Sequence, residues 1–315
     1  MSLLRLGFSV LSPAGARGRL SVLIFHRVLP HPDPIFPGEV DAVQFDEMMA
    51  WVKGWFNVLP LDEAARSLHA GTLPARAAAI TFDDGYEDNF SVALPILQRH
   101  GLTATFFIAT GFLDGGRMWN DTVIESIRAC PSEMLDLSVL GLGSHAIGNA
   151  GLKRSAIGAV IKQLKYLPVQ QRVETTEKIA EVAQVRLPDT LMMTSGQVKA
   201  MRRAGMQIGA HTVSHPILAR LPVPQARQEI AQSKTKLESL LGERIGLFAY
   251  PNGKPGTDYL PEHAQLAHEL GFDAAVSTAW GAAERATDRF QIPRFTPWDR
   301  GRWGFGMRLL RNLRT

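Results

Sequence analysis

The stretch Ala77-Ala78-Ala79-Ile80-Thr81-Phe82-Asp83-Asp84-Gly85-Tyr86 decides how the rest of the chain is read. Ala77 to Phe82 is a short, largely apolar run of the kind that fills a buried strand, and two adjacent carboxylates follow it. Neighbouring strand residues point to opposite faces. Asp83 and Asp84 can therefore serve one site only where the strand breaks, and Gly85 supplies a residue able to take the backbone of a break. One carboxylate can then hold a metal while the other moves a proton. An Asp-Gly turn that simply closes a strand accounts for the same letters; a second cluster argues against it.

That cluster is Ile208-Gly209-Ala210-His211-Thr212-Val213-Ser214-His215-Pro216, again a short strand-like run followed by polar residues. Two imidazoles four residues apart can converge on one cation. A zinc-type catalytic centre takes three protein ligands of nitrogen and oxygen type and keeps a position for water, and Asp84, His211 and His215 meet that count. A histidine pair at this spacing is common by accident on surface helices; joined to Asp-Asp-Gly it points to a metal site.

These residues resemble a known family, the polysaccharide deacetylases related to the rhizobial chitooligosaccharide deacetylase (carbohydrate esterase family 4). Thr81-Phe82-Asp83-Asp84-Gly85 looks like the family's first motif and His211-Thr212-Val213-Ser214-His215-Pro216 like its second. Phe248-Ala249-Tyr250-Pro251-Asn252-Gly253 resembles the third, with Ala249 where the family commonly has arginine. The resemblance runs from about Leu20 to Phe295, with a weakly matching segment over 113–191.

Composition is that of an ordinary soluble protein. At 315 residues the chain can bury a full core; hydrophobic residues are 45% and charged residues 20%, values typical of soluble proteins. The net charge of +4 is concentrated toward the two ends and forms no nucleic-acid stripe. Cys130 is the single cysteine, so no intramolecular disulfide exists, and it reads as a small buried apolar residue. Residues 1–18 make a poor secretory signal, and no apolar run of about 18 residues occurs to span a bilayer. A cytoplasmic location, with peripheral membrane contact open, is the expectation.

Along the chain, strands are expected at Ser21–Phe25, Ala77–Phe82, Thr103–Ala109, before His211, at Leu247–Tyr250, Asp273–Ser277 and Gln291–Phe295, alternating with helices. Asp62 is expected to cap a helix running through Leu68, and Phe90–His100 to be helical. Short links between strand, helix and strand imply parallel strands and right-handed crossovers. The alternation fits a βα barrel or an open doubly wound sheet; the family's fold implies a distorted (β/α) barrel of about seven parallel strands. Residues 113–191 leave this rhythm and read as a helical insertion over the barrel mouth in an otherwise single domain of residues 1–315. There Trp119, Asn120 and Asp121 form a polar-aromatic group able to touch a sugar.

The chemistry implied is N-deacetylation. A divalent metal, zinc by expectation with other ions open, on Asp84, His211 and His215 would polarise an acetyl oxygen and acidify water. The resemblance gives Asp83 the role of general base and points to the backbone N–H of Asn252, in the turn Tyr250-Pro251-Asn252-Gly253, for the oxyanion. The family usually takes its acid from a late Leu-x-His motif, but this chain reads Gln291-Ile292-Pro293-Arg294-Phe295 there. His26, at the end of the first strand, is the replacement, by similarity to biofilm poly-N-acetylglucosamine deacetylases that use an early histidine; a core histidine bonded to backbone is the plainer alternative. Arg294 could stand in for the absent motif-three arginine by pairing with Asp83. The other histidines have no partner residues and receive no role. Three readings follow: a metal-dependent hydrolase removing N-acetyl groups from amino sugars of a polysaccharide or its precursor, a non-catalytic carbohydrate-binding member of the fold in a polysaccharide assembly system, or a hydrolase of small cyclic amides. The presence together of Asp83, Asp84, His211 and His215 argues against a pure binding module, which needs no proton-transfer base. Finally, residues 301–315 carry arginines among apolar residues with no acid, which fits either contact with an anionic membrane or a terminal helix docked on the barrel.

Overall fold

A computed structural model describes residues 3–315. It divides into two compact units: one built from the residues up to His31, Val40–Asp114 and Met193–Thr315, the other from Pro32–Glu39 and Gly115–Met192. The strands are, in chain order, β1 (Leu20–Phe25), β2 (Asn57–Val58), β3 (Ala77–Phe82), β4 (Thr105–Ile108), β5 (Met134–Asp136), β6 (Ser144–Ala146), β7 (Gln207–Ala210), β8 (Leu247–Ala249) and β9 (Ala274–Val276).

In the larger unit, β1, β3, β4, β7, β8 and β9 pair in that order, every pair parallel, and the two-residue β2 joins the start of β3. The strand expected at Gln291–Phe295 is reduced to single bridges, yet these close the ring. Ile292 bridges Val276 of β9 and Phe295 bridges Leu23 of β1, both in parallel sense. The result is a distorted (β/α) barrel. β2, too short to leave a pattern, was missed by the sequence reading, as were β5 and β6, which lie in the stretch read as a helical insertion.

Alternation along the strands sorts the core into two layers. Leu20 and Val22, Ala77 and Ala79, Phe107, Leu247 and Ala249, Ala274 and Val276, and Ile292 share one buried cluster on the inside of the ring. Phe25, Ile80, Phe82, Phe106, Ile108, Ile208 and Phe248 belong to the other, packed against helices. Volume inside is limited: a Cβ at Gly209 would lie 2.5 Å from the Phe107 ring, so glycine on β7 is what lets a phenylalanine from β4 fill the interior.

The helix Ala42–Trp55 starts at Asp41, whose side chain accepts the N–H of Gln44, and buries Phe45, Met48, Met49, Val52 and Trp55. Asp62 does not cap the next helix, Leu61–Ala70. Pro60 holds the cap position, and Asp62 lies in the first turn, paired with Arg66 at 2.9 Å. The helix expected over Phe90–His100 opens as a π-helical turn, Asn89–Ala93, before Leu94–His100. At the termini, helices Leu3–Leu11 and Arg302–Asn312 bury Leu4 and Phe8, and Phe305 and Leu309, respectively. The C-terminal segment thus has one face docked, with Phe305 against Trp51 and Trp55.

The smaller unit holds helices Trp119–Ala129, Ala150–Leu164 and Val169–Ala183 and the antiparallel pair β5 and β6. Its core includes Val123, Ile127, Cys130, Leu135, Ile157, Val160 and Ile179. Ile35, from the proline-rich loop after β1, joins that core, and Asp33 of the same loop accepts from Arg128 at 2.6 Å. Within the unit, Asp121 is buried and the Arg172 guanidinium lies over the Trp119 ring at 4.7 Å.

Candidate active site

The inward alternation of the barrel strands continues past their C-terminal ends. Leu20, Val22 and Ile24 lead to His26; Ala77, Ala79 and Thr81 to Asp83; Gln207 and Gly209 to His211; Ile292 to Arg294. Four parallel elements therefore deliver a polar side chain to one end of the ring, the end where barrel sites are built.

Asp84 is one residue out of phase and joins them through its backbone. Its φ is 78°, and Gly85 follows with φ 90°, so the break lies at the aspartate as well as the glycine. Asp84 Oδ1 comes to 3.4 Å from Nε2 of both His211 and His215. The ligand atoms of these three residues all lie within 4.8 Å of one another. His215 reaches the cluster through a loop with Thr212 at φ 64° and His215 at φ 51°. Glu229 pins that loop, accepting the N–H groups of Val213 and Ser214, each at 2.9 Å, and the Ser214 hydroxyl at 2.7 Å. Thr212 Oγ1 accepts the N–H of His215 at 3.1 Å. His211 is buried and places Nδ1 2.8 Å from the carbonyl oxygen of Ala249, an arrangement that fixes the ring and turns Nε2 to the carboxylates.

The charges in this cluster are mutually dependent. Burial opposes ionisation of Asp84, but His215, His211 and His26 outweigh it and leave its pKa well below the usual carboxylate range. Burial pushes His215 down to about 4, so it is neutral at physiological pH and able to ligate. Burial also works to lower His211, yet Asp83 and Asp84 leave its pKa raised. Asp84 Oδ1 is buried with no hydrogen-bond partner. An orphaned carboxylate oxygen facing two ring nitrogens is the donor set of a divalent cation, and the residues fit such an ion.

Asp83 has a different environment. Arg294 donates to both of its oxygens, Nη1 to Oδ1 and Nη2 to Oδ2, each at 2.7 Å. The guanidinium is itself fixed by Nε to the carbonyl oxygen of Ser277 at 2.8 Å and Nη1 to Thr81 Oγ1 at 3.2 Å. Both side chains are almost fully enclosed. Burial would raise the pKa of Asp83, and Arg294 with His211 and His26 brings it below the ordinary value. His26 itself is exposed and gives its carbonyl oxygen to Asn89 Nδ2 at 2.9 Å.

In the turn after β8, the N–H groups divide. Tyr250 donates its own to Val276 O at 3.3 Å and Gly253 donates to Pro251 O at 2.6 Å, while proline has none. Among the described residues of this turn, Asn252 alone gives its N–H to no protein acceptor; its φ is 57° and it is exposed. The Tyr250 side chain is internal, stacked on Tyr259 at 3.8 Å with its hydroxyl on Phe290 O at 2.9 Å.

A model of the family described as polysaccharide deacetylase matches residues 70–275, from before β3 to β9. The chain belongs to the polysaccharide deacetylase family. Polysaccharide deacetylases are hydrolases that cleave the C–N amide bonds of acetylated polysaccharides, and this chain is an enzyme of that class. It is 22% identical over 278 residues to the YxkH protein of Bacillus subtilis (strain 168), which covers 88% of this chain and 70% of that one. Its fold is similar to that of the Streptococcus pyogenes deacetylase PplD, solved in complex with acetate (TM-score 0.62, 20% identity, 94% of this chain and 98% of that one). It is also similar to IcaB from Ammonifex degensii (TM-score 0.58, 19% identity, 96% and 99%).

Other residues of this polysaccharide deacetylase support the site without being legible beforehand. Asp88 is buried and accepts from Arg27 Nε at 2.7 Å and from the N–H of Val28 at 3.2 Å, tying the segment after β1 to the one after β3. Arg27 also lies over the Tyr86 ring at 4.7 Å. Only the nearness of Asp88 to the Asp-Asp-Gly stretch hinted at it. Glu229, inside an amphipathic helix, left no signal.

Proposed function

We propose that the protein is a metal-dependent N-deacetylase of amino sugars in a polysaccharide or its precursor, with zinc on Asp84, His211 and His215. The observation that carries this reading is the division of two adjacent carboxylates: Asp84 faces two ring nitrogens with an unpartnered oxygen, while Asp83 is held apart by Arg294. Exopolysaccharide synthesis is the setting that the reading favours.

Asp84, His211 and His215 would hold a divalent cation, which when bound would supply Lewis acidity to an acetyl carbonyl and to water. Asp83, ionised and fixed by two hydrogen bonds, accepts the proton of the attacking water at a carboxylate oxygen. Its position is set before substrate arrives, because the guanidinium that orients it is bound to Ser277 and Thr81. The free N–H of Asn252 receives the developing oxyanion. His26, exposed and close enough to influence the charges of Asp83, Asp84 and His215, protonates the leaving amine.

Acetate release from a panel of N-acetylated oligosaccharides, with metal, after chelation and after zinc restoration, tests the proposal. Metal-dependent release that disappears in Asp83→Asn is expected; release insensitive to chelation, or retained by Asp83→Asn, overturns it.

A further inference from the structure

The helices Leu3–Leu11 and Arg302–Asn312 pack side by side, and glycine sets how closely. A Cβ added at Gly306 would lie 2.6 Å from Leu4, and one added at Gly7 would lie 3.0 Å from Leu310. These pairings advance together along both chains, so the helices run in the same direction. Each commits one face to the barrel, through Leu4 and Phe8 in the first and Phe305 and Leu309 in the second.

On the helical period the faces turned away from the barrel carry Leu3, Leu6 and Val10 on one helix and Trp303 and Met307 on the other. Their exposures are 76%, 51%, 70%, 61% and 54%. Single exposed apolar residues are ordinary; five on the adjoining outer faces of two touching helices make a patch. Arg311 and Arg314 are exposed at the end of the second helix, Arg311 one turn after Met307, and neither helix contains an acidic residue. Large apolar side chains flanked by arginine are the composition of a helix lying in a bilayer interface, and the positive charge of Arg311 and Arg314 selects an anionic surface. Among the described residues no helix is long and apolar enough to cross a membrane.

We propose that these two helices together form a surface that rests on an anionic lipid bilayer. Sequence alone would count Phe305, Leu309 and Leu313 toward such a face, but the structure buries all three. The helix Leu3–Leu11 supplies their replacements, so the membrane-facing unit is the pair of helices and not residues 301–315 alone.

Co-sedimentation of the full chain with phosphatidylcholine vesicles, with and without phosphatidylglycerol, tests the proposal at low and high salt. Binding is expected only with the anionic lipid and only at low salt. Each surface arginine contributes about fivefold, so Arg311→Gln with Arg314→Gln should weaken binding about 25-fold. The triple change Leu6→Ser, Trp303→Ser, Met307→Ser should abolish it. Because those positions are exposed, the melting temperature of the triple variant should match that of the parent, which separates lost binding from lost folding. Absence of binding to anionic vesicles at low salt overturns the proposal, as does a correctly folded triple variant that binds like the parent. Sedimentation equilibrium that finds a dimer dissolved by the same triple change assigns the patch to a second copy of the chain and overturns it equally.

Discussion

Replacing Arg294 with methionine removes the charge partner of Asp83 while keeping a long side chain in the space. The pair is buried on both sides, with side-chain exposures of 0% and 4%, and it holds two hydrogen bonds of 2.7 Å. Breaking a buried pair from one side leaves an uncompensated charge, at a cost of about 3–5 kcal/mol. For a chain of this size that is a fall in Tm on the order of 10 °C. The orphaned carboxylate also loses the guanidinium that keeps its pKa low, while the burial that raises it remains. The acid limb of kcat/KM should accordingly move to higher pH. Calorimetry on the metal-free protein reads the first effect and a pH–rate profile the second. Adding Asp83→Asn should recover part of the lost stability, because the buried charge is then gone. The reasoning fails if Arg294→Met melts with the parent and keeps its pH profile, or if the double variant is no more stable than the single one.

Asp84→Ala, His211→Ala and His215→Ala should each lose most bound metal by elemental analysis, whereas Asp83→Asn should stay loaded without turning over; the opposite pattern would exchange the two carboxylates' roles. His26→Ala should lower kcat by roughly 10²- to 10⁴-fold, the contribution of a positioned acid, and activity within a few-fold of the parent would place the acid elsewhere. In the metal-free protein His211 is raised from 6.5. Its protonated form therefore stabilises that state fully below pH 6.5, and the contribution is lost as pH rises through the raised pKa. Metal needs the neutral ring, so the gain in Tm on adding zinc should be larger at pH 8 than at pH 6; an equal gain at both would exclude proton displacement from His211.

Much of this was readable from the letters because a strand's period carries geometry. The apolar runs at Ala77–Phe82 and Leu20–Phe25 place their strands, and counting in twos from their inward residues reaches Asp83 and His26 without coordinates. What could not be read is conformation that the residue type disfavours. Asp84, Thr212, His215 and Asn252 all take positive φ; aspartate, histidine and asparagine tolerate it better than other side chains, but each adopts it too seldom to be assigned from its letter alone, and these turns bring the out-of-phase groups into place. Long-range partnership was equally silent. Ile35 in a proline-rich loop gives no sign that it belongs to the core of the smaller unit, and Phe305 reads the same whether it meets lipid or Trp55. Position 62 misled for the opposite reason: aspartate is a good cap, but Pro60 holds the helix start and leaves Asp62 two positions too late to serve.

The closing bridges at Ile292 and Phe295 have a consequence for how the protein acquires activity. Arg294 sits between them, and its partner Asp83 is 211 residues away in the chain. Until that last segment docks against β9 and β1, a carboxylate destined for the barrel interior has no countercharge and is better left in water. Closing so long a loop is slow relative to forming local contacts, and here the step that seals the ring is also the step that neutralises the site. A folding intermediate with an open ring would hold Asp84, His211 and His215 and could take up metal, yet it would lack an oriented base. Metal uptake should therefore precede the first turnover during refolding, with docking of the final strand segment setting the interval between them.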